Sequence, residues 1–121
     1  GHSHKDRFDK AMQDLTTNLK AIQDAIRMKK ERAEGELHWL HLEISAVQAW
    51  SKYLEEINDP VYVKKDYDAR IAELENRVNE QRTILKRSDQ ATLVYKCEYD
   101  ACMARLKLDQ KYSIDKLLQE N

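Results

Sequence analysis

At 121 residues the chain has room for one domain, and with 36% charged residues and a mean hydropathy of −0.84 it holds too few apolar residues for a large globular core. Twenty-one Lys and Arg stand against 22 Asp and Glu, and the net charge of −1 supplies no long-range field to draw in a nucleic acid or a membrane surface. Only two Gly and one Pro interrupt a composition typical of long helices, so the predicted class is all-α.

The first four residues, Gly1-His2-Ser3-His4, read as the remnant of a purification tag, and with no initiator Met the expectation is a piece of a longer protein. No charged-then-apolar leader and no run of ~18 apolar residues is visible, so neither an export signal nor a membrane span is expected.

Helix one is predicted over 5–58. Phe8, Met12, Leu15, Leu19, Ile22 and Ile26 alternate steps of four and three, a heptad seam along one face. After a gap at Lys29 the seam resumes as Ala33, Leu37, Leu40, Ile44, Val47, Ser51 and Leu54. The step from Ala33 to Leu37 is four where three is due, and Gly35 lies inside it, so a kink is expected near residue 35.

Asn58-Asp59-Pro60 ends this helix. Asn tolerates the left-handed position after a helix, while Asp before Pro suits an N-cap with Pro in the first turn. The turn is assigned to 59–66, with Asp66 as a second candidate cap, and helix two to 67–118. Tyr67, Ile71, Leu74, Val78, Gln81 and Leu85 form its first seam. Ser88-Asp89 suggests an irregularity over 86–91, after which Val94, Cys97, Ala101, Ala104, Leu108 and Tyr112 read as the resumed seam. Folding the chain about residues 60 and 61 sets Gly35 opposite Arg87 and Ser88. It also sets the small Cys97, Ala101 and Ala104 against large residues of helix one. The expected architecture is therefore a long antiparallel helical hairpin, a coiled coil, in a single domain.

One stripe per helix satisfies such a hairpin, yet two further apolar stripes remain. Trp39, Leu42, Ala46, Trp50, Tyr53 and Ile57 form one near the turn; Tyr95, Tyr99, Cys102, Leu106 and Leu117 form another near the far end of helix two. Aromatic patches of this kind mark contact surfaces. The interface residues are accordingly Trp39, Leu42, Trp50, Tyr53, Ile57, Tyr95, Tyr99, Leu106 and Leu117. The expected cover is a second copy in a four-helix dimer, one hairpin's turn stripe lying on the other's terminal stripe. The chain then acts as a protein interaction module that scaffolds a larger complex, with another protein as a further partner. A monomeric adaptor that captures a partner helix is the alternative.

Arg27, Lys30, Arg32, Arg82, Lys86 and Arg87 fall at one level and form a candidate belt for an anionic ligand, a nucleic acid or a phosphoinositide, interrupted by Glu31, Glu34 and Glu36. Paired charges on a solvated face explain them equally well. Glu34, His38, His41 and Glu43 are the one cluster resembling metal ligands, but the two-helix Glu-x-x-His pattern of a metal bundle is missing, so no metal or cofactor is assigned. No nucleophile-base set or phosphate loop points to an enzyme. Cys97 and Cys102 sit about 140° apart around a helix and cannot bridge within it. Two unpaired thiols suit a reducing compartment, cytoplasm or nucleus, with an intermolecular disulfide as the alternative.

Overall fold

A computed structural model describes residues 3–120, apart from the side chains of Ser113 and Glu120. It is an all-α helical hairpin of α1 (His4–Glu56) and α2 (Lys64–Glu120), with no strand among the described residues. Among the described residues no helix is long and apolar enough to cross a membrane. Of the four residues read as a tag remnant, Gly1 and His2 lie outside the described residues, whereas Ser3 caps α1. Its hydroxyl accepts the Asp6 amide at 3.2 Å, satisfying one of the donors that a helix start leaves open.

The end of α1 follows its local chemistry. Asn58 takes the left-handed conformation, with φ 52°. Its amide donates to the Glu55 carbonyl at 3.2 Å, and the Asp59 amide donates to that of Leu54 at 3.1 Å. These two bonds close a Schellman motif over the last free carbonyls. Asp59 and Pro60 do not begin the next helix, contrary to one reading of the sequence. The Asp59 carboxylate accepts the Val61 amide at 2.8 Å, and the Asp59 carbonyl accepts the Tyr62 amide at 3.2 Å. Pro60 thus occupies the second position of a β-turn, which its fixed φ suits as well as it suits a helix start. Helix α2 begins at Lys64, three residues before the expected Tyr67, and Asp66 sits inside its first turn, where a carboxylate favours the helix dipole.

Both helices run unbroken through the predicted irregularities, residue 35 in α1 and 86–91 in α2. At Gly35 no atom lies within 4 Å of where a Cβ would stand, so the position has room for a side chain. Packing nevertheless falls into two compact units, Arg27–Ser88 and a terminal unit made of the segments on either side of it.

In Arg27–Ser88 the fully buried Leu40 packs with Val47, Leu74 and Val78, and Leu37, Ile44, Tyr67 and Ile71 close around them. The seam expected on α1 from Ala33 to Leu54 and that on α2 from Tyr67 to Leu85 are the core faces. Fully burying a Leu or Val side chain, as at Leu40 and Val47, is worth about 1.5–3 kcal/mol. Glu36 pairs with Arg77 at 2.9 Å, Glu43 with Arg70 at 3.7 Å, and the Ser51 and Tyr62 hydroxyls meet at 2.6 Å. Steps along α1 are matched by equal steps backwards from Arg77, so one antiparallel register runs through the unit. It is about nine residues from the expected one, in which Glu43 would face Asn79. Val61 to Val63 run back beside the end of α1 before α2 starts, and that return shifts the register. Gly35 consequently lies near the level of Val78, not of Ser88.

In the terminal unit Phe8, Met12, Leu19 and Ile22 of α1 are half-buried, as are Ala91, Tyr99, Cys102, Met103, Leu106 and Gln110 of α2. Thr16 and Tyr99 share a hydrogen bond of 2.9 Å across the pair. Here the expected seam of α2 is on the wrong face: Val94, Cys97, Ala101, Ala104, Leu108 and Tyr112 are exposed. The packed positions of α2 run instead from Leu85 through Ser88 and Ala91 to Tyr99, Cys102 and Leu106, and Ser88, at 6% exposure, lies buried inside a continuous helix rather than marking a break. Large-on-small packing against Cys97, Ala101 and Ala104 does not occur.

Candidate functional site

The turn stripe of α1 stands out from Arg27–Ser88 as an uncovered apolar face. Trp39 is 65% exposed, and Leu42, Trp50, Tyr53 and Ile57 are each about half exposed or more. At 100° per residue, these side chains fall within about 40° of a line through Ala46, while Leu40, Ile44 and Val47 fall about 100–160° away. The face therefore points away from the hairpin's own core, which explains its exposure. The Trp50 and Tyr53 rings support one another, with centroids 5.4 Å apart and planes tilted by 34°. Gly35, Ala46 and Ala49 are exposed on the same face and leave it low in its middle and at one end.

Around this stripe the polar groups are occupied locally. Glu43 is held by Arg70 and Glu36 by Arg77, on the side of α1 nearer α2. His38 and His41 are exposed. Among the described residues no three or more His, Cys, Asp or Glu side chains are grouped to hold a metal ion, and Glu43 serves its ion pair instead. An open cleft of about 310 Å³ lined by His41, Ile44, Glu75, Val78, Asn79 and Arg82 lies beside the core.

The proposed terminal stripe divides. Tyr95 and Leu117 are exposed, whereas Tyr99 and Leu106 are half-buried against α1, Tyr99 through its bond to Thr16. Lys96 spans Tyr99 and Asp100. Its ammonium donates to the Asp100 carboxylate at 2.9 Å and lies 5.8 Å from the Tyr99 ring centre, and that bond, with the charge behind it, holds the lysine above its usual range. Val94, Leu108 and Tyr112 are exposed on another face of α2, with the small Cys97, Ala101 and Ala104 between the first two. Phe8, Leu106 and Ile114 line an open cleft of about 420 Å³ with Lys5, Asp109 and Gln110 at its rim.

All six cations of the candidate anion belt lie in Arg27–Ser88. The register found there sets Lys86 near the level of Arg27, so they share one level as expected. Five of them are exposed and Lys30 is half-buried. Arg27 pairs with Glu31 at 3.9 Å one turn away, a surface ion pair of small energetic weight. The belt is thus drawn partly into local pairing.

Sequence reasoning passed over the Ser51–Tyr62 contact. In the sequence Ser51 is a seam position and Tyr62 part of a turn, and only the return of Val61 to Val63 along α1 brings them together. A scan against protein-family models finds no match, and searches of curated proteins and of solved structures find none either.

Proposed function

We propose that this chain is a non-enzymatic coiled-coil interaction module that assembles a larger complex by homodimerisation. The observation that carries the reading is the aromatic face of α1 from Trp39 to Ile57, uncovered on the side away from the core. Two tryptophans, a tyrosine, a leucine and an isoleucine in one stripe are costly to leave in water, at about 25 cal/mol per Å² of apolar surface. Aromatic side chains on a rigid helix also lose little conformational freedom when they are covered.

A second reading is a monomeric adaptor that captures a partner helix on its exposed aromatic stripes, and the apolar cleft lined by Phe8, Leu106 and Ile114 in the terminal unit adds a further surface for it. Both readings place the chain in a reducing compartment, in keeping with its two free thiols.

Sedimentation equilibrium of the wild type and of Trp50→Glu separates them. The homodimer reading expects the wild-type mass to rise with concentration towards twice the 14.3 kDa of the chain, and the variant to stay at the single-chain mass with its helicity intact. A wild type that remains monomeric at tens of micromolar contradicts it.

A further inference from the structure

We draw no further inference here: the strongest candidate, the exposed apolar stripe on α1 that carries Trp39 and Trp50, supports none because nothing in the structure shows what covers it.

Discussion

The hydroxyls of Ser51 and Tyr62 lie 2.6 Å apart, with Ser51 buried, and they tie the returning connection to the last turns of α1. The Tyr62 ring also leans on that of Tyr67, with centroids 5.5 Å apart. This contact holds the connection in the position that sets the helix register. Tyr62→Phe keeps the ring and leaves the Ser51 hydroxyl without its partner, and a loss of about 1–2 kcal/mol is expected in urea unfolding. Ser51→Ala in the Tyr62→Phe background should recover part of that loss, because the stranded hydroxyl is then gone.

Leu40 and Trp39 are neighbours in sequence with opposite surroundings. Leu40 is fully buried, so Leu40→Ala is expected to cost about 2–5 kcal/mol through lost contacts and the cavity left behind. Trp39 is 65% exposed, so Trp39→Ala should change the unfolding free energy of the dilute chain by no more than about 0.5 kcal/mol. Thermal unfolding of both variants at submicromolar concentration checks the contrast.

The core face of Arg27–Ser88 was legible in the sequence, since Leu37, Leu40, Ile44 and Val47 repeat at heptad steps and so do Tyr67, Ile71, Leu74 and Val78. Asn58 announced its left-handed conformation by residue type. The start of α2 was not legible, because Asp-Pro serves a β-turn and a helix start with equal ease. That ambiguity carried the register with it. The far half of α2 was misplaced because a serine at position 88 looks like a break and small residues at 97, 101 and 104 look like a tight seam. Burial of Ser88 shows that one polar residue packs inside the helix without interrupting it. The turn stripe was legible for a simpler reason: a second apolar face on a helix already supplied with one stands out whatever the register.

Gly35 offers a stabilising change. Its backbone is helical and an added Cβ meets nothing within 4 Å, so Gly35→Ala should raise stability by about 0.5–1 kcal/mol, chiefly by restricting the unfolded chain. Denaturant midpoints of the dilute chain measure the gain.

Buried side chains among the described residues, Leu40 and Ser88 included, all belong to Arg27–Ser88, whereas those of the terminal unit are half-buried at most. Local opening should therefore be easier in the terminal unit. Amide hydrogen exchange is expected to be faster over 4–26 and 91–118 than over 37–54 and 67–85, even though all four segments are helical. Equal protection throughout would show that packing does not set the order of opening.

Trp39 and Trp50 are the two tryptophans of the chain, and both lie on the turn stripe, so tryptophan emission reports on that face alone. The most direct test of the stripe as a homodimer interface is to follow its emission maximum and its quenching by acrylamide while the full chain is concentrated from nanomolar to tens of micromolar. Covering the stripe with a second copy predicts a blue shift and a loss of quenching that follow the rise in mass. Emission that stays red and fully quenchable while the mass doubles would contradict it, because the dimer would then be built on another surface.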